Sequence, residues 1–363
     1  MGEYSKYIAK ERRSVPTPKD MVKDGKCVFG TFDKEFETMD LLSIKNATEI
    51  PENFNRLRLT LWEAVEVHLE EGILLAACSD MALFGAMLCV FYDKRKKKVY
   101  QWIEQLASAD VVISPNLING AKTVARKNKC RIRFVNHFEK GKAAVQGTQV
   151  GESGEISYQF KLTRISKPSV VSIPLDDMAK RNRPLYTQKD FFRAEGSVTI
   201  NGVTYKSTEQ STAIIDDHRG YYPRKSHYDW LTTMGLHEQD GEKRWLAFNL
   251  TRNQSVDQEK YNENLIWFAD ETSLLPPVTF YKDIPTSEFA GKAKWHIKDE
   301  HDMVNLDFTI YDLASVIIHA KPVINSDYFI VFGEISGYIR DEDGKQYFFD
   351  KTPALGEDKT LLF

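Results

Sequence analysis

The segment Ile156-Ser157-Tyr158-Gln159-Phe160-Lys161-Leu162-Thr163 alternates strictly between apolar and polar side chains. Successive side chains of a β-strand point to opposite faces, so this alternation predicts a half-buried antiparallel strand. The turn sequence Gly151-Glu152-Ser153-Gly154 precedes it and follows a further predicted strand at 143–150. The two segments therefore predict adjacent strands joined by a tight turn.

The same period of two recurs on both sides of this segment. Asn201-Gly202 joins two β-rich runs and predicts a type I′ hairpin, because this dipeptide tolerates the positive φ angles of that turn. The alternation that begins at Leu57 shifts at Ala64-Val65, which predicts a β-bulge there. A short helix is predicted only within 33–47. Many short strands and few helices predict an all-β protein built from paired barrels or sandwiches.

Prolines and charged residues mark the predicted division of the chain. Residues 1–24 are polar and predict an N-terminal arm, and the stretch 166–190, with Pro168, Pro174 and Pro184, resembles a crossover. We therefore predict a first β domain over 25–175 and a second over 176–363.

The bulk composition narrows the classes of partner. Of 363 residues, 42% are hydrophobic, and 49 lysines and arginines against 52 acids leave a net charge of -3, which gives no electrostatic support for nucleic-acid binding. The N-terminus has no apolar signal segment, and Ser79-Asp80 interrupts the most apolar run, so no stable membrane insertion is predicted. The four cysteines form no CxxC pair and predict buried free thiols in a reducing cytoplasm. The expected assembly is a monomer or a homodimer.

The densest group of reactive side chains lies between Ile214 and Pro223. Asp216, Asp217, His218 and Arg219 follow one another directly after a short apolar run. If that run lines a barrel, one aspartate points inward and the other outward, and an inward acid would have a pKa raised by desolvation. The alternative is a purely structural network of Asp–Arg and Asp–His pairs. Alternation alone leaves open which of the two aspartates faces a pocket.

Other kinds of site find little support. The chain has no HExxH, CxxC or EF-hand spacing, so no metal is predicted, although Asp216, Asp217, His218 and His227 are ligand types. It has no GxSxG, GxGxxG or phosphate-loop motif, and no cofactor is predicted. The second half is rich in tyrosine and tryptophan, which predicts either barrel cores or a pocket for a small hydrophobic ligand.

The segment Ile215 to Pro223, together with Trp230, resembles the signature of an uncharacterised, mainly bacterial family, a domain of unknown function. Spaced motifs such as Leu61-Trp62-Glu63 and Asn249-Leu250 also fit, and the resemblance covers about 28–363. That family is distantly similar to the lipocalin-like double barrels of carotenoid hydratases (hydroxyneurosporene synthases) and to fungal pericyclases of the Diels–Alderase type. The resemblance implies two lipocalin-like (calycin) antiparallel β-barrels or strongly curved sheets.

The resemblance also implies a chemistry. In the carotenoid hydratases an Asp-His-Glu-Trp motif, whose acid protonates an alkene, is similar to Asp217-His218, but Arg219 and Gly220 stand where that motif has Glu and Trp. We therefore predict acid-catalysed hydration, isomerisation or cyclisation of a hydrophobic, isoprenoid- or polyketide-like molecule, or else a non-catalytic carrier or sensor of such a ligand, or a structural double barrel. The predicted catalytic residues are Asp217, His218 and Arg219. The predicted ligand-binding residues are Asp216, Tyr222, Trp230, Trp245 and Asn249.

Overall fold

The structure is a computed structural model that describes residues 12–320 and 324–362. The described residues form two compact units: a barrel unit of Ser14–Phe91 and Tyr100–Tyr222, and a half-barrel unit of 12–13, Tyr92–Val99 and the described residues from Pro223 onward. Strands make up 61% and helices 5%, and the two large sheets are a nearly closed barrel and a half-barrel. The predicted all-β class, with curved antiparallel sheets and few short helices, is confirmed. Residues 1–11 of the predicted arm lie outside the described residues.

The barrel unit is built on a 15-stranded sheet with the central order β8-β7-β6-β5-β17-β15-β13-β12-β11-β10-β9. The strands β1, β4, β14 and β16 attach beside this path, and β2 and β3 pair separately. All pairings are antiparallel except that of β1 with β4. In chain order these strands are β1 (Ser14–Val15), β2 (Val22–Lys23), β3 (Lys26–Cys27), β4 (Gly30–Phe32), β5 (Thr60–His68), β6 (Gly72–Asp80), β7 (Gly85–Asp93), β8 (Lys98–Leu106), β9 (Val111–Val112), β10 (Ala121–Lys127), β11 (Cys130–His137), β12 (Lys142–Gly151), β13 (Gly154–Arg164), β14 (Ser169–Pro174), β15 (Pro184–Ile200), β16 (Val203–Lys206) and β17 (Thr212–Gly220).

The half-barrel unit contains a nine-stranded sheet in the order β21-β20-β19-β18-β26-β25-β24-β23-β22. Its three longest strands pair as a meander in which each is 17 residues long. The strands are β18 (Lys225–Gln239), β19 (Glu242–Arg252), β20 (Leu265–Trp267), β21 (Thr272–Leu274), β22 (Thr279–Lys282), β23 (Ala293–Lys298), β24 (Val304–Ala320), β25 (Ile324–Arg340) and β26 (Gln346–Leu362).

The helices among the described residues are all short 3-10 turns. The helix predicted within 33–47 is wrong except for the single turn Leu41–Ser43, because Phe36, Met39 and Leu41 are buried in a small apolar cluster without a continuous helix. The 3-10 turns are Leu41–Ser43, Glu52–Leu57, Ser108–Asp110, Phe138–Lys140 and Thr286–Glu288. None of the described helices is long and apolar enough to span a membrane.

The predicted turns and strands of the first half match the structure closely. β12 and β13 pair antiparallel without a register shift, from Lys142 opposite Thr163 to Gly151 opposite Gly154. At the Asn201-Gly202 turn both residues have positive φ, 49° and 83°, as a type I′ turn requires. The four cysteines are free thiols and all are buried.

The bulge predicted at Ala64-Val65 is wrong. β5 pairs without a register shift with β6 on one side and β17 on the other. Its inward residues Leu61, Glu63, Val65 and Val67 keep the period of two, and Val65 and Val67 belong to the barrel core. The apparent offset in the sequence arises because an acid, Glu63, occupies an inward position.

The boundary between the compact units differs from the predicted one. β14 ends at Pro174, directly before the predicted boundary, and β15 and β17 follow it. All three strands nevertheless belong to the sheet of the barrel unit. The units change at Tyr222 and Pro223. Most of the segment between 214 and 223 therefore lies in β17, the last strand of the barrel unit. The predicted ranges 1–24, 25–175 and 176–363 remain a prediction about domains.

Candidate functional site

The strand β17 divides the predicted site between the two faces of one sheet. Ala213 and Ile215 belong to the barrel core, so by alternation Asp217 and Arg219 also point inward. Asp216 and His218 point to the opposite face. The predicted catalytic set of Asp217, His218 and Arg219 is thus not brought together. We call the inward group Glu63, Ser114, Asn136, Asp217 and Arg219 the inner cluster, and the outward group Thr187, Lys189, Asp216, His218 and Tyr222 the outer cluster.

The inner cluster is centred on a two-pronged ion pair. Arg219 Nε donates to Asp217 Oδ1 at 2.6 Å and Arg219 Nη2 donates to Asp217 Oδ2 at 2.8 Å. Arg219 Nη1 donates to the backbone carbonyl of Ser114 at 2.6 Å. Asp217 is fully buried and Arg219 nearly so. This planar fork matches the carboxylate geometrically and fixes the end of β17 to the segment after β9.

Glu63 is a functional candidate that the sequence argument missed. It lies directly opposite Asp217 in the pairing of β5 with β17, and it is fully buried. Burial, reinforced by the Asp217 carboxylate, raises the pKa of Glu63 to about 7, although Thr123, Asn136 and Arg219 lower it in part. Two buried carboxylates on facing strands with one guanidinium leave Glu63 partly protonated near neutral pH.

The inward face of β15 carries a second buried acid. The Tyr186 hydroxyl donates to Gln188 Oε1 at 2.6 Å, and Gln188 Nε2 donates to Asp190 Oδ2 at 2.7 Å. Arg164 Nη2 lies 2.7 Å from Asp190 Oδ1 and also pairs with Glu35. Burial raises the pKa of Asp190 to about 7, against the opposing effect of Arg164. This end of the barrel interior is therefore filled with paired polar groups.

The outer cluster places two ionisable groups, Lys189 and Asp216, around one imidazole nitrogen. His218 Nε2 lies 2.9 Å from Lys189 Nζ and 2.9 Å from Asp216 Oδ1, and Lys189 Nζ lies 3.1 Å from the same Asp216 oxygen. Thr187 Oγ1 accepts a hydrogen bond from Lys189 Nζ at 3.1 Å. On the other side of the ring, His218 Nδ1 lies 3.4 Å from the Tyr222 hydroxyl.

Charge and access distinguish the members of the outer cluster. Burial by itself would raise the pKa of Asp216, but His218 and Lys189 outweigh it and lower that pKa to about 2. Asp216 is therefore a carboxylate at any ordinary pH. The His218 side chain is 19% exposed, whereas that of Asp217 is 0% exposed. The imidazole is therefore partly exposed to solvent, whereas the inward carboxylate is not.

A glycine shapes the end of this strand. A Cβ atom on Gly220 would lie 2.5 Å from the Pro184 carbonyl oxygen and 2.9 Å from Leu185 Cα. Any larger residue would push β15 away from β17. Gly220 therefore permits the close approach that aligns Lys189 and Thr187 with Asp216 and His218.

The remaining predicted ligand-binding residues lie on the half-barrel unit. Trp230 is on β18, and Trp245 and Asn249 are on β19, where the pairing register places all three on one face of the sheet. Trp230 Nε1 donates to Asn249 Oδ1 at 2.5 Å, and Asn249 Nδ2 donates to the Glu263 carbonyl at 2.9 Å. On the same face, Tyr228 and Tyr328 both donate to the buried Glu357. The half-barrel unit thus has its own group of largely buried aromatic and polar side chains.

One group of metal-ligand types occurs among the described residues, and it differs from the set considered in the sequence. His227, Asp229 and Asp358 bring ligand atoms together on the half-barrel unit. Lys282 Nζ lies 2.5 Å from Asp229 Oδ1 and 2.7 Å from Asp358 Oδ2. The lysine ammonium therefore supplies the positive charge between the two carboxylates.

Comparison with known proteins identifies the family. Residues 12–363 match the family described as Domain of unknown function (DUF2804). The chain therefore belongs to this family, and the predicted membership of a family of unknown function is confirmed. No curated protein matches the chain in sequence.

Two solved structures resemble the chain over most of its length. The crystal structure of kievitone hydratase from Nectria haematococca has 10% sequence identity and a TM-score of 0.48, and the match covers 84% of this chain and 88% of that one. The crystal structure of CghA with Sch210972 has 10% identity and a TM-score of 0.45, with 90% of this chain and 96% of that one covered.

Proposed function

We propose that this member of the DUF2804 family is an enzyme that transfers protons to and from a hydrophobic small molecule, with His218 as general acid and base. The reaction class is acid-catalysed hydration, isomerisation or cyclisation of an isoprenoid- or polyketide-like substrate. Histidine suits this task because an imidazole nitrogen can both donate a proton and accept one.

The observation that carries the proposal is the position of His218 Nε2 between an anion and a cation. When Nε2 is protonated, the carboxylate of Asp216 at 2.9 Å stabilises the imidazolium. When Nε2 has lost its proton, it accepts a hydrogen bond from Lys189 Nζ at 2.9 Å. Each protonation state of Nε2 therefore has a hydrogen-bonding partner at 2.9 Å, and in the imidazolium state His218 and Lys189 share the carboxylate of Asp216.

The other predicted residues take supporting roles in this proposal. Tyr222 contacts the second imidazole nitrogen and positions the ring. Asp217 and Arg219, which were predicted to be catalytic, hold β17 in register through their buried pair and act as positioning residues. The predicted ligand-binding role of Trp230, Trp245 and Asn249 remains a separate proposal for the half-barrel unit, and these residues have no part in the proposed chemistry at His218.

A solvent-isotope experiment tests the proton transfer directly. The full chain is incubated in deuterium oxide with farnesol, lycopene and naringenin chalcone, and deuterium incorporation into each compound is measured by mass spectrometry. We expect the wild-type protein to label one of these classes, and His218→Gln to lower the rate about 100-fold or more, the usual contribution of a general acid or base.

The matched control is His319→Gln, because His319 is an exposed histidine that pairs with Asp327 at 2.6 Å. This variant should label at the wild-type rate. Equal labelling by His218→Gln and wild-type protein would refute the role of His218. Saturable binding of the compounds without any labelling by the wild-type protein would identify a carrier or sensor instead of an enzyme.

A further inference from the structure

A cavity of about 340 Å³ lies at the Arg219 end of the barrel unit. All of its walls come from the barrel unit, and the volume lies at the lower end of the range typical of small-molecule sites. It is reached from the inward face of β17, so it is separate from the outer cluster. Its lining includes an apolar wall with Leu41, Leu42, Leu59 and Leu61 and a polar wall with Glu37, Asp40, Ser114 and Arg219.

The polar wall contains a buried hydroxyl whose hydrogen-bonding capacity is unused. Ser114 is 0% exposed, its backbone amide donates to Thr123 Oγ1 at 2.8 Å, and its carbonyl accepts from Arg219. Ser114 Oγ has no hydrogen-bond partner among the residues that the structure describes. A buried hydroxyl without a partner costs free energy, which a ligand hydroxyl could recover.

The charges around the cavity select against anions. The Arg219 guanidinium is already neutralised by both oxygens of Asp217. Glu37 and Asp40 add two exposed carboxylates at the cavity. The site therefore offers no unbalanced positive charge to a carboxylate or phosphate ligand.

The apolar wall is held in place independently of any ligand. The Tyr221 hydroxyl donates to the Leu41 carbonyl at 2.8 Å, which fixes the 3-10 turn that carries Leu41 and Leu42. Leu59, just before β5, and Leu61, within β5, also line the cavity. A preformed wall of this kind binds a rigid apolar body at a low ordering cost.

We propose that this cavity is a second ligand site, which binds a small neutral molecule with a flat apolar body and one hydroxyl group that hydrogen-bonds to Ser114 Oγ. The proposal does not depend on the proton-transfer function of His218. It requires only the walls of the barrel unit and the unused Ser114 hydroxyl.

Isothermal titration calorimetry of 2-naphthol binding to the full chain tests the proposal. We expect saturable binding at one site, and binding of 2-naphthoate at least about tenfold weaker because its carboxylate would lie near Glu37 and Asp40. Ser114→Ala should weaken 2-naphthol binding about threefold to tenfold, the usual effect of losing one neutral hydrogen bond. Its thermal stability should not fall, because the deleted hydroxyl has no partner in the ligand-free protein.

A blocking variant locates the site. Leu42 is 47% exposed and lines the cavity, so Leu42→Trp should fill the cavity, abolish 2-naphthol binding and leave the fold intact. Leu83→Trp changes a leucine that is 60% exposed and does not line the cavity, and it should bind 2-naphthol normally. No binding by the wild-type protein, or full binding by Leu42→Trp, would overturn the proposal. The variant His218→Gln should bind 2-naphthol as the wild-type protein does, which separates this site from the proposed active site.

Discussion

The inner and outer clusters are built on alternate residues of the same strand, yet their chemistry differs. In the inner cluster each of the three guanidinium nitrogens of Arg219 donates a hydrogen bond to Asp217 or to the Ser114 carbonyl, and Asp217 is fully buried. In the outer cluster His218 Nε2 lies within hydrogen-bonding distance of both Asp216 and Lys189, and the imidazole ring is partly exposed. The two clusters therefore differ in burial and in how completely their charged groups are paired, and this difference is the reason why proton transfer is proposed at His218 and not at Asp217.

The largest expected effect follows from removing the cation of the inner cluster. Arg219→Met would leave Asp217 and Glu63 facing each other in the barrel core without a positive charge. Breaking one partner of a buried ion pair costs about 3–5 kcal/mol, so we expect the free energy of unfolding to fall by that amount in urea titrations. The control Arg131→Met changes an exposed arginine of β11 and should cost less than about 0.5 kcal/mol. Equal costs for the two variants would mean that the inner cluster has no structural role.

The second effect is that the two clusters make the free energy of unfolding depend on pH in opposite directions. The pKa of Glu63 is raised from 4.5 to about 7, so the folded state holds this proton more tightly and the stability it contributes is lost as the pH rises from about 4.5 to about 7. The pKa of Asp216 is lowered from 3.8 to about 2, so the stability that it contributes is lost as the pH falls through this interval.

Glu63→Gln isolates the inner contribution. This variant should flatten the decline in the free energy of unfolding between pH 5 and pH 8 by an amount of the order of 3 kcal/mol, as measured by urea titration. A residual decline should remain, because burial also raises the pKa of Asp190. Glu70→Gln, at an exposed position just beyond β5, should leave the wild-type pH profile unchanged. A Glu63→Gln profile that is identical to the wild-type profile would contradict the buried proton on Glu63.

The smallest effect concerns two adjacent tyrosines. Tyr222→Phe removes a 3.4 Å contact with His218 Nδ1, so we expect deuterium labelling to slow about threefold to tenfold with little change in stability. Tyr221→Phe removes the buried hydrogen bond to the Leu41 carbonyl, so we expect about 1 kcal/mol of lost stability with normal labelling. The same two assays on both variants check this separation, and a slower reaction in Tyr221→Phe alone would reverse the assignment of the faces.

Much of the fold could be predicted from local patterns. The alternation of Ile156 to Thr163 identified β13, and Asn201-Gly202 identified the turn between β15 and β16, because both depend on the conformations of neighbouring residues alone. The assignment of β15 and β17 to the first sheet could not be predicted, since it depends on pairing between distant segments. The proline-rich stretch near residue 175 resembles a linker, but it lies within one unit.

The candidate site shows the same division. The residues between 214 and 223 were recognisable from their types as a candidate site, and alternation predicted that Asp216 and Asp217 face opposite sides. Glu63 left one trace in the sequence, an acid at an apolar position of β5, which the local pattern attributed to a bulge. Lys189 left none, because nothing in the sequence near Pro184 connects it to His218, 29 residues further on.

The sequence by itself determined that this chain is an all-β protein, where several of its turns lie and which short segment concentrates the charges. Side-chain alternation and turn conformation are local properties, so the order of the residues is enough to specify them. Only the tertiary structure decided that Glu63 joins the Asp217–Arg219 pair while Lys189 joins Asp216 and His218. Those partners come from other strands, and the burial and neighbouring charge that set their pKa values exist only after the sheet has formed.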